Sequence, residues 1–335
     1  MHQFFAIFFS MLLQYAFKDC SEGVYIHTKA NGKLFNIKCF RAKTKVTEVL
    51  IRELLFADDA ALTSHTEEGL QQLVCRLSYA CKEFGLTISL KKTNVMAQDA
   101  DSPPTITIDG YNLEVVESYT YLGCTISSSL SINAEMNSRI AKVAAVMARL
   151  NQRVWNNINL TEKTKLHVYR ACVLSTLLYS SEAWTTYTSH ERKLNSFHLR
   201  CLRRILRIQW QDKVPNTEVL ERASMNSMFT ILCERRLRWL GHVRRMDTGR
   251  IPKDLQYGEL AEGTRPTGRL RLRYKDVCKK DMKTANISVK NWENCANNRY
   301  EWRLAVRQGI QKAEERIKAK PHYKESQEEG ETTTA

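Results

Sequence analysis

Residues 54–62 have the sequence Leu-Leu-Phe-Ala-Asp-Asp-Ala-Ala-Leu, in which two acidic residues interrupt an apolar run. Ionised carboxylates lose hydration when they are buried, so Asp58 and Asp59 need either compensating partners or exposure at a turn. The apolar flanks predict two short strands, and the Asp-Asp pair predicts the tight turn between them. Carboxylates at a hairpin tip suit Mg²⁺, which takes oxygen ligands from protein and substrate phosphates. For an isolated Asp-Asp pair, an ordinary hairpin with an acidic turn is the alternative.

Three segments that follow one another along the chain carry a resemblance to a known family. Residues 56–59, Phe-Ala-Asp-Asp, resemble the metal-binding hairpin of the reverse-transcriptase palm in non-LTR retrotransposons. Residues 81–94, Cys-Lys-Glu-Phe-Gly-Leu-Thr-Ile-Ser-Leu-Lys-Lys-Thr-Asn, resemble the next palm motif. Residues 119–126, Tyr-Thr-Tyr-Leu-Gly-Cys-Thr-Ile, resemble the primer-grip hairpin. Three ordered motifs within about eighty residues are a far stronger signal than one Asp-Asp pair.

The resemblance implies roles for particular residues of these motifs. Asp58 would be a ligand of a catalytic Mg²⁺, and Asp59 would have a secondary role, because neighbouring strand residues point to opposite faces. Lys92, or Lys91 beside it, would protonate the leaving pyrophosphate. The primer end would be contacted by residues of the third motif: Tyr119, Tyr121, Leu122 and Gly123. Solvated lysines and ordinary strand packing are the alternatives.

Two elements of the family pattern are missing upstream of the hairpin. Two-metal nucleotidyl transfer needs carboxylates from two strands that bridge ions about 4 Å apart. The first palm motif, which carries the second aspartate, has no room before Asp58, and the Gln-Gly-x-x-x-Ser-Pro motif is not found. Residues 16–19, Ala-Phe-Lys-Asp, are interpreted as a chance match to that first motif. The expectation is a chain that begins within the palm and cannot polymerise by itself.

The sequence predicts an α+β protein with four regions. Residues 1–128 would form a partial palm of antiparallel hairpins and helices, and residues 129–225 an all-helical thumb. Residues 226–320 would be a basic helical extension, and residues 321–335 a disordered tail.

Local patterns predict several elements within these regions. Residues 66–84 have helical periodicity, with Thr66 as the cap and Gly85 at the end. Residues 87–90 alternate as a strand would, and Asp109-Gly110 is a strong hairpin turn. The apolar residues 4–17 predict a buried helix that is too short for a membrane span, which needs about 20 residues.

The positive charge is concentrated in one window. The chain has a net charge of +15, and residues 192–283 contain 23 Lys/Arg against 10 Asp/Glu. Such a window favours a polyanionic partner, since arginines contact phosphates and aromatic rings stack on bases. Solvated helix faces are the alternative. The candidate contact residues are Arg203, Arg204, Arg235, Arg236, Trp239, Arg244, Arg245, Arg269, Arg271 and Arg273.

Three functional interpretations remain open at this point. The first is a fragment of a retrotransposon reverse transcriptase, an RNA-directed DNA polymerase whose intact form uses Mg²⁺, dNTPs and an RNA and DNA template and primer. The second is a non-catalytic nucleic-acid-binding protein that uses the basic thumb and extension. The third is a product that does not fold stably, because half a palm sheet exposes strand edges. Each would be intracellular, nuclear or cytoplasmic, without a membrane partner.

Overall fold

A computed structural model describes residues 2–28, 34–35, 46–100, 102–263 and 271–319. The chain divides into two compact units. The first contains Met1–Glu135 and Asp247–Leu270, and the second contains Met136–Met246 and Arg271–Ala335. Helices and small, mostly antiparallel sheets make the class α+β, as predicted. The division into palm, thumb and extension stays a prediction, and the tail from residue 321 lies outside the described residues.

The strands of the first unit are short. They are β1 (Val24–Thr28), β2 (Thr47–Ile51), β3 (Glu53–Phe56), β4 (Asp59–Leu62), β5 (Asn94–Val95), β6 (Thr107–Ile108), β7 (Tyr111–Asn112), β8 (Glu114–Val115), β9 (Ser118–Tyr121), β10 (Cys124–Ser127) and β11 (Glu259–Leu260). One antiparallel sheet has the order β11–β1–β2. Three antiparallel hairpins, β3–β4, β6–β7 and β9–β10, and one parallel pair, β5–β8, complete the set.

The chain also contains twelve described α-helices, which fall mainly in the second unit. They are α1 (His2–Phe17), α2 (Glu67–Glu83), α3 (Asn133–Arg149), α4 (Glu162–Val168), α5 (Ser175–Leu177), α6 (Thr188–Ile205), α7 (Asn216–Arg222), α8 (Met228–Arg244), α9 (Ile251–Tyr257), α10 (Tyr274–Thr284), α11 (Trp292–Asn297) and α12 (Arg299–Lys318). Within the described residues, no helix is both long and apolar enough to span a membrane.

Helices α1 and α2 build the core of the first unit. The side chain of Thr66 caps α2 by accepting a hydrogen bond from the amide of Gly69 at 3.0 Å, as predicted. Leu12 of α1 and Leu73 of α2 are fully buried in the same cluster. The opposite side of α1 is exposed at Phe4, Ile7, Met11 and Tyr15. The predicted burial of this helix is therefore correct for one face only.

Turn chemistry was predicted better than strand extent. Asp109 and Gly110 have φ values of 51° and 78°, which is the left-handed pair that a two-residue hairpin turn requires. The strand predicted at residues 87–90 is wrong, because a short 3₁₀ turn forms at Leu90–Lys92 instead. Ile88 packs against the apolar core of the first unit. Burial of alternate side chains therefore produced the pattern without a pairing strand.

Helix α8 is the central element of the second unit. Its residues Leu232, Leu237 and Leu240 are buried, and it packs against α12. The indole nitrogen of Trp302 on α12 donates to the carbonyl oxygen of Leu237 at 2.9 Å. Gly241 makes this approach possible, since a Cβ at that position would lie 2.1 Å from the Trp302 Nε1 atom.

Candidate functional site

The acidic hairpin forms, with its turn one residue earlier than expected. Phe56 pairs with Asp59, so Ala57 and Asp58 form the two-residue turn and Asp59 begins the return strand β4. Ala57 has a φ of 54°, an uncommon conformation for a residue with a side chain. The prediction of an Asp-Asp turn is corrected accordingly. Both carboxylates are exposed, which satisfies their need for hydration.

The structure brings one residue of the predicted primer grip to this hairpin. The hydroxyl of Tyr121 on β9 donates to the carbonyl oxygen of Leu54 on β3 at 2.9 Å. Burial raises the pKa of Tyr121, and the negative charge of Asp59 raises it further. The side chains of Tyr121 and Asp59, 62 positions apart in sequence, therefore belong to one local site.

Three other residues predicted for this site lie in two different turns. Leu122 and Gly123 form the β9–β10 turn, with φ values of 48° and 79°. Lys92 is exposed at the end of the short 3₁₀ turn. Among the described residues, no contact joins Lys92 to the acidic hairpin. Its role in leaving-group protonation stays a prediction.

The hairpin supplies only part of a metal site. Exposed carboxylate oxygens at Asp58 and Asp59 are the donors that Mg²⁺ prefers. Within the part of the chain that the structure describes, no cluster of three or more acidic, His or Cys side chains is placed to hold a metal ion. The described residues therefore do not fit a complete two-metal site, which needs carboxylates from a second strand.

Helix α6 separates apolar and basic residues cleanly. Leu194, Leu202 and Ile205 are buried on one side. The opposite side of the helix and the second residue after it expose four arginines, here named the α6 arginine face: Arg192, Arg200, Arg204 and Arg207. The only acidic residue in the helix is Glu191, which is buried. The exposed charges of α6 are therefore all positive.

The spacing of this face suits an extended polyanion. Twelve residues from Arg192 to Arg204 cover roughly 18 Å of helix, about the rise of five nucleotides at 3.4 Å each. Arg204 also donates to the side-chain oxygen of Asn151 at 2.8 Å, which orients its guanidinium at the surface. Arg192, Arg200 and Arg207 were not among the candidate contact residues. Arg192, Arg200 and Arg204 are separated by multiples of four residues, a spacing visible in the sequence that favours one side of a helix.

Several predicted arginines are engaged within the second unit. Arg203 is half-buried and donates to the side-chain oxygen of Asn216 at 2.7 Å. Arg235 is half-buried and pairs with Glu182 at 3.2 Å. These bonds orient the side chains and leave less of each guanidinium for phosphate.

Arg236 lies in the protein interior. It is 1% exposed, and its guanidinium contacts both carboxylate oxygens of Asp281, at 2.6 and 3.1 Å. The same guanidinium reaches Glu191 at 3.2 Å and the hydroxyl of Thr186 at 2.9 Å. Because a phosphate cannot reach it in this structure, we leave Arg236 out of the interface.

The C-terminal end of α8 is basic and partly accessible. Trp239 is half-buried, and its ring lies 5.4 Å from the ring of His242. Arg245 donates to the carbonyl oxygen of Ala296 at 2.7 Å. Burial lowers the pKa of Arg245, and the nearby positive charge of Arg299 lowers it further. An anion bound near Arg245 and Arg299 would reduce the repulsion between their positive charges.

The last predicted arginines are Arg244, Arg269, Arg271 and Arg273. Arg244 is half-buried on α8. Arg271 is exposed, and Arg273 pairs with Asp276 at 3.2 Å where α10 begins. Arg269 lies outside the described residues.

Comparisons with known proteins place the chain among retroelement products. It is 24% identical over 269 residues to a putative uncharacterized transposon-derived protein of Caenorhabditis elegans, a match that covers 77% of this chain and 95% of that protein. The chain is derived from a retroelement. It is also 23% identical over 187 residues to the RNA-directed DNA polymerase from the mobile element jockey of Drosophila melanogaster.

The second match is weaker and partial. It covers 52% of this retroelement-derived chain and 20% of the jockey polymerase. No protein-family model and no solved structure matches the chain.

Proposed function

We propose that this retroelement-derived chain binds nucleic acid through the second unit, and that its acidic hairpin is a remnant of a reverse-transcriptase site. The observation that carries the proposal is the α6 arginine face, which exposes positive charge without any exposed carboxylate on the helix. The similarity to a transposon-derived protein and to an RNA-directed DNA polymerase supports RNA and DNA as the polyanions.

The binding would be driven mainly by counterion release. Each phosphate neutralised by an arginine releases condensed cations, so the logarithm of the affinity falls with the logarithm of the salt concentration by about 0.9 per contact on duplex DNA and about 0.7 on a single strand. Four arginines on one face would produce a slope near −3 or steeper. Such binding carries little sequence information, because backbone contacts do not read bases.

The acidic hairpin would supply only part of a catalytic metal site. Mg²⁺, where it binds, would neutralise charge on the transferring phosphate. Asp58 and Asp59 would hold one side of such an ion, and Tyr121 would position the hairpin through its bond to Leu54. The described residues bring no carboxylate from a second strand to this hairpin, so we propose that the chain alone does not extend a primer.

Fluorescence anisotropy with labelled RNA and DNA over a salt series tests the binding proposal. The double variant Arg200→Gln/Arg204→Gln is expected to reduce the salt slope by about 1.4 on a single strand, from two lost contacts. The matched control is Arg222→Gln on α7, because Arg222 is already paired with Glu218. Equal salt slopes for the parent, the double variant and the control would refute the proposed interface.

Primer extension on an RNA template with Mg²⁺ tests the catalytic proposal. Neither the parent chain nor Asp58→Ala is expected to extend the primer. Extension by the parent that disappears in Asp58→Ala would contradict us and would mean that another carboxylate completes the site. An intact reverse transcriptase on the same template is the positive control.

A further inference from the structure

A cavity of about 530 Å³ opens on the second unit, and none of the predicted site residues lines it. It lies between the end of α10, helix α11 and one face of α12. Its polar lining is dominated by uncharged side chains that both donate and accept hydrogen bonds: Asn286, Ser288, Asn291, Asn294 and Gln308. The volume falls within the range typical of small-molecule sites, roughly 300–1,000 Å³.

The local sequence builds this cavity in two steps. Helix α10 ends with Asn286 in the left-handed conformation, at a φ of 54°. The amide of Asn286 donates to the carbonyl of Lys283, and that of Ile287 to the carbonyl of Met282 at 2.8 Å, the bond pattern of a Schellman cap. Gly309 then lets α12 approach this cap, because a Cβ there would lie 2.3 Å from the carbonyl oxygen of Ala285.

The lining offers hydrogen-bonding groups that the protein does not use. Among the described residues, the side chains of Asn286, Ser288 and Gln308 have no hydrogen-bond partner in the protein. Asn291 and Asn294 bond only weakly to each other, at 3.3 Å. Each amide presents a donor and an acceptor side by side.

The charges at the cavity favour one class of ligand. Lys312 lines it one turn beyond Gln308 on the same face of α12. Glu301 also lines it, and its carboxylate accepts a hydrogen bond from the Asn298 amide at 3.0 Å. The side-chain amides suit a neutral ligand group that has a hydrogen-bond donor and an acceptor next to each other. Lys312 suits an anionic group attached to it. Nucleobases have such edges, and Asn or Gln pairs with the N6 and N7 atoms of adenine.

We propose that this cavity binds an unpaired base of a single-stranded nucleic acid, with Gln308 and Asn286 bonding the base edge and Lys312 the adjoining phosphate. The inference rests on the proposed nucleic-acid binding and adds base selectivity to it. Proteins read single-stranded RNA through bases that are splayed out of the stack, because only such a base can enter a cavity and present both its face and its Watson–Crick or Hoogsteen edge. The apolar floor at Ile287, Ala305 and Gly309 would contact the face of the base.

Binding of single-stranded oligo(A), oligo(C) and oligo(U) of about ten nucleotides, a length typical of single-strand sites, tests the proposal. The parent is expected to distinguish the three, with oligo(A) bound most tightly. Gln308→Ala and Asn286→Gly are expected to reduce the preference by about tenfold, the size of one lost amide–base pair. Glycine at position 286 keeps the left-handed cap while it removes the amide. Lys312→Ala should weaken all three equally and reduce the salt slope by about 0.7.

Gln311→Ala is the matched control, since Gln311 lies on the same helix and bonds Glu315 at 3.2 Å outside the cavity. Thermal unfolding followed by tryptophan emission would verify that each variant remains folded. The proposal would be overturned if the parent bound all three oligomers with equal affinity. It would also be overturned if Gln308→Ala and Asn286→Gly kept the parent's ratios of affinity for the three oligomers. Either result would leave nucleic-acid binding intact. A parent that binds none of them at low salt would overturn both.

Discussion

Replacing Arg236 should unfold the second unit far more easily, because this arginine joins three helices inside the core. Its guanidinium forms two bonds to Asp281 of α10 and one to Glu191 of α6. Thr186 accepts a further bond from Arg236 and donates to Glu191 at 2.7 Å. Asp281 and Glu191 are 4% and 6% exposed, so water cannot replace the lost partner. Arg236→Met would leave two buried carboxylates facing each other.

The expected loss is large relative to the stability of a domain. Removing one partner of a buried ion pair costs about 3–5 kcal/mol, because the other charge stays desolvated. Domains of this size unfold with roughly 5–15 kcal/mol, so Arg236→Met should lose about a fifth or more of the total. Arg236→Lys keeps the charge without the planar fork and should lose less. The double variant Arg236→Met/Asp281→Asn should recover part of the loss, since it removes one of the two buried negative charges and leaves Glu191, which keeps Lys280 at 3.8 Å.

Urea unfolding followed by tryptophan emission isolates the relevant unit. All six tryptophans of the chain lie in the second unit, so their signal does not report the first. Arg238→Met is the matched control, because Arg238 is on the same helix with a side chain 64% exposed. The control should stay within about 0.5 kcal/mol of the parent. Equal midpoints for Arg236→Met and Arg238→Met would refute the structural role.

The pH dependence gives this prediction a second test. Burial raises the pKa of Asp281, and its bonds to Arg236 lower it again in part. Without Arg236 that lowering disappears, so the folded-state pKa rises further above the unfolded value. An acid whose pKa is raised by folding contributes stability at low pH that is lost as the pH rises through the folded pKa. The deficit of Arg236→Met should therefore be smaller at about pH 5 than at about pH 8; the reverse trend would contradict the argument.

Three further predictions concern the second unit. Gly241→Ala should destabilise it by about 1–3 kcal/mol in urea unfolding, because the new methyl group would displace the buried indole of Trp302. Arg207→Gly should raise stability by about 1 kcal/mol, since Arg207 has a φ of 57°, and should weaken RNA binding in anisotropy. Burial lowers the pKa of His198 to about 4, so stability present above pH 6.5 should be lost as the pH falls toward 4, by up to about 3 kcal/mol. His198→Phe should remove that part of the pH dependence, measured by the same tryptophan signal.

Short-range features of this fold could be predicted from sequence because their causes are local. The turn at Asp109-Gly110 needs two residues that tolerate positive φ, and both stand together in the chain. Caps work in the same way. Thr161 accepts a hydrogen bond from the amide of Thr164 at 3.2 Å and starts α4, inside the region that was predicted to be all-helical. The π-type turn at Tyr169–Leu174 that follows had no sequence signal that we could use.

Features that depend on contacts between distant parts of the chain could not be predicted from the sequence. Arg236 stands in a run of basic residues and looks like its neighbours Arg235 and Arg238, yet it is the buried one. Its partner Asp281 is 45 residues away, on a helix whose contact with α8 no local pattern predicts. The cavity beside α12 was missed for the same reason, because its amides come from three separate segments. Charge counting therefore located the basic window at residues 192–283, whereas the role of each arginine required the fold.

Binding and catalysis place different demands on such a chain. An arginine face needs only a folded helix with one side exposed, and α6 meets that condition through the apolar side it buries in the second unit. Phosphoryl transfer needs several carboxylates held at fixed distances, and the described residues provide two on an exposed hairpin. The described residues therefore support the proposal of nucleic-acid binding by the second unit more strongly than a proposal of polymerisation.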